Sequence, residues 1–257
     1  MRMWKACAAA IVTAAPVFAI GEPAPKVEWV EVDAPMMCAM MAREYRGRAI
    51  RDHITVSAAT AVEKKTDSFD VFVGPDPDRS DTRRIDIVIG PLHVVALAPE
   101  DSESATLTVA HAKVLDRVVS VTAESGGALA LLQDTMPPIP MPQVWLAMGP
   151  AKPPCPPMGP YLGAVEWSRA ELSPEAVPPR LRMFGIAEDT GAAVELIAIV
   201  EPEVRIERIT IRDEAESSTI EIRIDPVEDG ALPPPDAPGD RRIVKTLAEL
   251  VSQEKTE

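Results

Sequence analysis

Residues that carry chemistry are scarce in this chain. Its histidines number three, His53, His93 and His111, and none stands in a His-x-His or His-Glu-x-x-His arrangement, so zinc catalysis has no ligand set. There is no Cys-x-x-Cys, which removes thioredoxin-like redox chemistry. Ser125 is followed by two glycines but lacks the Gly-x-Ser-x-Gly elbow, so hydrolase chemistry has no nucleophile to start from. Asp76, Asp78 and Asp81 are spaced like calcium ligands, yet the glycine and distal glutamate of an EF loop are missing, and a solvated hairpin turn is the better reading. No catalytic residue, metal site or cofactor is therefore assigned, and an enzyme is not expected.

Positive charge is also in short supply. Against 40 acidic residues stand 26 lysines and arginines, a formal charge of −14. No basic stripe is present to release counterions from phosphate, so DNA, RNA and anionic lipid head groups are poor partners. Contact with a lipid would have to run through its acyl chains. Aromatic residues make up 4% against 46% hydrophobic residues in all, so aliphatic side chains and methionine must fill the interior. No repeat of 20 to 50 residues is evident, which removes solenoids and propellers.

Long hydrophobic runs are missing too, with one short exception at the start. Arg2 and Lys5 precede the apolar run from Ala6 to Phe18, and Val17, Phe18 and Ala19 place small residues where a signal peptidase reads, so 1–19 is expected to be a secretory signal peptide. Pro16 breaks the run, which is well short of the ~20 residues needed to span a bilayer. Cys7 lies too early for lipid attachment. The expected location is periplasmic or secreted, with no membrane-spanning segment after processing; loss of Arg2 and Lys5 makes residues 20–257 still more acidic. Two cysteines remain in that oxidising setting, Cys38 and Cys155, so one disulfide is available.

Asp33 as N-cap, Pro35 in the first turn and Gly47 as a stop predict a helix from Met36 to Arg46. Met36, Met37, Met40 and Met41 share one face of it, extended by Tyr45. Soft sulfur beside Cys38 is one way to hold copper(I). A buried amphipathic face is preferred, because no second methionine cluster or His-rich tract follows.

From His53 the period changes to two. Ile54, Val56, Ala58, Thr60 and Val62 alternate with polar or small residues, as do Phe69, Val71 and Val73, then Ile85, Ile87 and Ile89. Strands are expected again over 92–97, 106–109 and 114–122, with a reversal at Leu115–Arg117 or just before it. The connections are too short for parallel crossovers, so an antiparallel meander with one wet and one dry face is predicted. A second set follows over 165–170, 180–186, 194–200, 206–212 and 219–225, where Ile220, Ile222 and Ile224 point one way. Prolines crowd 150–160 and 226–240, and Thr246 to Glu249 forms a capping box that opens a terminal helix.

Between the two sets lies Met136 to Met148, thirteen residues without a charge. Pro137, Pro138 and Pro140 forbid a continuous helix, while Pro142 suits the first turn of a short one ending at Met148, after a first short helix over 128–133. Ile139, Met141, Val144, Trp145, Leu146 and Met148 need an apolar surface, and the sheet is the one on offer. The segment is therefore read as a lid. Trp145 and Trp167 either line a cavity or belong to the core.

A signal peptide, a first helix, a meander, a Pro-x-Pro-Gln segment with two short helices, a second meander and a closing Leu247-Ala248-Glu249-Leu250 helix together resemble the lipoprotein-carrier family of LolA and LolB, with the related LppX and RseB domains. The resemblance covers most of Val27 to Val251. It implies an α+β fold: a strongly curved antiparallel sheet, a half-open barrel, whose concave face is covered by short helices, forming one domain over 20–257. It also implies acyl-chain binding between sheet and helices, with Met37, Met41, Ile139, Met141, Val144, Trp145, Met148 and Trp167 as the candidate lining. Such carriers use a strand arginine hydrogen-bonded to the lid; Arg83, Arg84, Arg180 and Arg182 are the candidates. The function expected is a carrier or binding module for a hydrophobic ligand, either a lipid or a lipoprotein acyl chain. The alternative is an envelope sensor or protein-interaction domain of RseB type, with another envelope protein as partner.

Overall fold

The computed structural model describes residues 28–99, 104–125, 127–136, 139–148, 158–159, 162–227 and 241–251. The leader expected over 1–19 lies outside these residues, as do Cys155, Pro137, Pro138 and most of the two proline-rich stretches.

Alternating side chains dominate the sequence, and the described residues correspondingly form one large, unclosed, curved sheet of 13 strands. A first meander comprises β2 (Ile50–Ala59), β3 (Lys64–Asp76), β4 (Arg79–Ile89), β5 (Leu92–Pro99), β6 (Ala105–His111) and β7 (Val114–Ala123). The second comprises β8 (Val165–Ser173), β9 (Arg180–Ala187), β10 (Ala193–Ile199), β11 (Arg205–Asp213) and β12 (Ser218–Pro226). Antiparallel pairing of β12 with β2, Ile222 opposite Val56 and Ile224 opposite Ile54, fuses the two. Two three-residue strands cap the ends: β1 (Val30–Val32) pairs with β8, and β13 (Arg242–Val244) runs parallel to β7. That one parallel pair departs from the expected antiparallel pattern, and neither short strand has enough residues to show a period.

Among the described residues four helices accompany the sheet: α1 (Ala34–Tyr45), α2 (Gly127–Thr135), α3 (Pro142–Met148) and α4 (Leu247–Val251). The start of α1 is as its sequence dictates, the Met36 N–H donating to Asp33 Oδ1 at 2.7 Å. After α1 the backbone turns at Gly47, φ 72°, a conformation that costs glycine no Cβ clash. The buried stripe of α1 is Ala34, Met37, Cys38, Met41 and Tyr45, spacings of three, four and seven. Met36, expected on that face, is instead 60% exposed, because the 3.6-residue repeat turns it away once Met37 and Met41 point inward. In α4 the Glu249 N–H donates to Thr246 Oγ1 at 3.1 Å, as the capping box requires. Leu250 of that helix is buried, whereas Val251 is exposed.

Other boundaries shift for local reasons. Val62 is 94% exposed at the β2–β3 reversal, so the alternation seen in the sequence outlasts the strand. Leu115–Arg117 lies within β7, and the chain reverses at Ala112 and Lys113, where the Ala112 N–H donates to Pro91 O. Pro77 and Asp78 join β3 to β4, with the Asp78 N–H donating to Asp76 Oδ1 at 2.8 Å; this is the expected hairpin turn.

The first meander is buried on both faces near its centre, against the wet-and-dry expectation. Ile85 and Ile87 face the helices, while Arg84 and Asp86, alternating with them, are also buried, at 0% and 2% exposure. Arg84 donates through Nη2 to Asp86 Oδ1 at 2.6 Å, its Nε lies 2.5 Å from Oδ2, and His93 Nε2 sits 2.9 Å from Oδ1. A buried charge of either sign survives only when countered, and here Arg84 and Asp86 lie two positions apart on β4 with His93 beside them on β5.

Candidate functional site

The site is the contact between the helices and the sheet face they cover. Ile54, Phe69, Val71, Val73, Ile85 and Ile87 from the first meander meet Leu181, Met183, Leu196, Ile209 and Ile222 from the second in one continuous apolar cluster. Alternation puts every second residue of each strand on this face, and the antiparallel register aligns them across strands.

Helix α3 begins at Pro142, as read from the sequence, since proline at this position gives up no hydrogen bond the helix would use. Val144 is fully buried, with Ile139, Met141, Leu146 and Ala147 below 10% exposure, and α3 packs against α1. The Gly47 N–H, just beyond α1, donates to Ala147 O at 3.4 Å and ties the two helices. All eight candidate lining residues join one cluster: Met37, Met41, Ile139, Met141, Val144 and Trp167 within it, Trp145 and Met148 packed against it. Met158 and Leu162 belong to the same cluster and were not foreseen, because proline-rich sequence carries no period. Cys38 is fully buried on α1 and disulfide-bonded; its candidate partner Cys155 lies outside the described residues.

One amide side chain interrupts the apolar run of α3. Gln143 is completely buried and donates through Nε2 to Asp52 Oδ2 at 3.3 Å. Its Oε1 has no hydrogen-bond partner among the described residues. Asp52 stands on the helix-bearing face of β2, in register with Ile50 and Ile54, and is 6% exposed. Burial pushes its carboxyl up to about 6, the Gln143 hydrogen bond and the charges of Arg205 and Arg48 pulling against that rise. Beside it, Tyr45 accepts a hydrogen bond from the Ile206 N–H at 2.7 Å. Burial, opposed by that bond, holds the Tyr45 phenol well above its usual range. Tyr45→Phe should therefore cost about 1–3 kcal/mol, the penalty for leaving a buried N–H unpaired. Urea unfolding measures it, and an unchanged midpoint would mean the strand finds another acceptor.

The four candidate arginines separate. Only Arg83 shares the helix-bearing face, with Ile85 and Ile87 in alternate positions, and its Nη2 donates to Arg48 O at 3.4 Å. Arg84 pairs with Asp86 on the opposite face. Arg182 binds Glu171 and lies 4.5 Å from the Trp29 ring centroid, and Arg180 lies 3.5 Å from Glu207. Among the described residues the side chain that accepts a hydrogen bond from Gln143 of α3 is an aspartate, Asp52. That pairing was legible only in part, since Gln143 stands out in an otherwise apolar helix but nothing in sequence points to Asp52.

Histidines sit apart, His53 with Asp70 at 2.6 Å and His93 with Asp86. Among the described residues no group of three or more His, Cys, Asp or Glu side chains could hold a metal ion.

Fold and site thus define a curved-sheet protein whose apolar face is covered by short helices. No family model matches the chain, and no curated protein is similar to it. Among solved structures, a DUF1329 family protein from Desulfovibrio piger is similar over 78% of this chain and 96% of its own, at 11% identity and a TM-score of 0.36. A LolA superfamily protein from Nitrosomonas europaea is similar over 79% of this chain and 96% of its own, at 10% identity and a TM-score of 0.31. A protein of the LolA type read from the sequence is thus among the similar structures; at these scores neither residue roles nor activity carry across.

Proposed function

We propose that this protein is an exported, single-domain binding or carrier module for a hydrophobic ligand, a lipid or the acyl part of a lipoprotein, held between the curved sheet and the helical lid in half-barrel fashion. The observation that carries the reading is the seating of α3. Its apolar residues fit the sheet face, yet its Gln143 amide is buried with an acceptor unmet among the described residues, against a carboxyl whose charge that burial disfavours. A permanently closed core gains from replacing such a pair by apolar side chains. A lid that opens gains from keeping it, because the same groups recover full hydration when exposed.

Methionines on α1 and around α3 support the reading, since unbranched thioethers repack around chains of variable shape. Each CH₂ transferred from water contributes ~0.8 kcal/mol, so an acyl chain needs no polar contact to be held. The short apolar leader supports export, and among the described residues no helix is long and apolar enough to cross a membrane.

Protein purified from a membrane-containing host should carry lipid, detected by native mass spectrometry and organic extraction, and the delipidated protein should bind a fluorescent fatty acid saturably. Ligand-free protein that also ignores the fatty acid would sink the carrier reading and leave the scaffold of an envelope sensor.

A further inference from the structure

A second feature lies on the opposite face of the sheet, away from the lid. Register places Arg180, Ile199 and Arg205 in one row across β9, β10 and β11, and Ile197, Arg208 and Arg223 in the next row across β10, β11 and β12. All of these side chains alternate with the core residues Leu181, Leu196, Ile209 and Ile222, so they emerge on the outer side. Between Ile197 and Ala198 the β10–β11 register slips by one residue, a β-bulge that adds Glu207 to the row and bends the strand. The result is a groove of about 240 Å³ lined by all four arginines.

The charge count there runs against that of the molecule. The whole chain carries −14, yet the groove sets four arginines against three carboxylates, Glu207, Glu221 and Asp225. Two of those carboxylates are engaged: Arg180 Nε lies 3.5 Å from Glu207 and Arg223 Nε lies 3.1 Å from Asp225. Arg208 and Arg205 make no ion pair with a described carboxylate within 4 Å, and Arg205 Nε is shielded from water with no hydrogen-bond partner among the described residues. A guanidinium in that position has donors left over, in a planar fork that matches carboxylate or phosphate oxygens.

We propose that this groove binds a small oxyanion of the phosphate class, free or as a lipid head group, with Arg205 and Arg208 as the primary donors and Arg223 beside them. Direct donation by two guanidiniums confines recognition to one compact anion, which reconciles the groove with a surface that repels extended polyanions. Arg205 gives the groove a line to the lid, because its charge also acts on Asp52, and Asp225 bears on Asp52 with the opposite sign. An anion that draws on the Arg205 charge withdraws it from the carboxyl under Gln143.

The test is a titration of the full mature chain with inorganic phosphate at constant ionic strength, followed by calorimetry and amide chemical shifts. A parallel arm uses flotation with phosphatidylglycerol vesicles, and pure phosphatidylcholine vesicles as the control. Saturable phosphate binding, weakened about tenfold by Arg208→Ala, where one charge-assisted hydrogen-bond donor is lost, supports a free-anion site. Binding of phosphatidylglycerol vesicles alone, lost in the Arg208→Ala/Arg223→Ala variant, assigns the head group. Arg208 and Arg223 are both exposed, so circular dichroism of these variants should match the parent. If neither probe binds, or if the double variant binds both as the parent does, the proposal is wrong. The outcome does not depend on whether the lid carries a lipid, since fatty-acid binding is read separately.

Discussion

Asp86→Ala should be the most damaging single substitution outside the apolar core, costing about 3–5 kcal/mol, the usual loss when one member of a buried ion pair is removed. Both side chains are essentially inaccessible, and the carboxylate serves Arg84 through two contacts and His93 through a third. The alanine leaves the Arg84 guanidinium buried without that counter-charge, on the face where Gly74 leaves room and the Phe72 ring folds over it. The damage comes from removing the counter-charge of a buried guanidinium; the pair's own contribution to stability is modest. Arg84→Met combined with Asp86→Leu, which removes both charges and keeps the volume, should therefore recover most of the lost stability. Urea denaturation of the single and double variants decides this; a double variant as unstable as the single would locate the loss in packing instead.

Asp52→Asn should act in the opposite direction. In the folded protein the Asp52 carboxyl titrates at about 6, against an ordinary value of 3.8. The folded state therefore holds this proton to higher pH than the unfolded chain does. Below the ordinary value both states are protonated and the penalty is absent; it grows as pH rises, and is complete once pH passes the folded-state value. A shift of about two units corresponds to roughly 3 kcal/mol as an upper bound, at 1.36 kcal/mol per unit. Asparagine carries no charge and can still bond Gln143, so the variant should gain about 1–3 kcal/mol near neutral pH and no more than about 0.5 kcal/mol near pH 4. At about 2–4 °C per kcal/mol for a chain of this size, thermal melts at both pH values resolve the gain. Equal stabilisation at the two pH values would mean the effect is not electrostatic. On the carrier reading the same variant holds the lid shut more firmly and takes up fatty acid more slowly at neutral pH.

These two residues also mark where reading a sequence stops. Arg84 and Asp86 fall within the alternating run Ile85, Ile87, Ile89, and alternation assigned them to a wet face. The strand was right, but both its faces are buried. A period of two says which residues share a face and nothing about what covers it. Asp52 sits one residue ahead of the run as read from His53, so it went unremarked. Only pairing of β2 with β12 and β3, and the arrival of α3 above them, gives its carboxyl a low-dielectric setting.

Local signals were strong where backbone chemistry acts alone. Asp33, Pro35 and Gly47 bracketed α1 to within two residues, Pro142 opened α3, and Thr246 capped α4. Each depends on a hydrogen bond or a dihedral angle settled within a few residues. The isoleucines of β12 likewise declared their face in advance.

The sequence by itself determined the two meanders, the uncharged segment between them and the acidic composition that disfavours nucleic acid. Tertiary structure decided the rest, because each remaining feature depends on the register between distant strands: the seam of β12 on β2 that makes one sheet of two, the meeting of Gln143 with Asp52, 91 positions apart, and the rows of arginine on the outer face. Short-range pattern fixes which way a side chain points; what it meets there is set by chain segments far away in sequence.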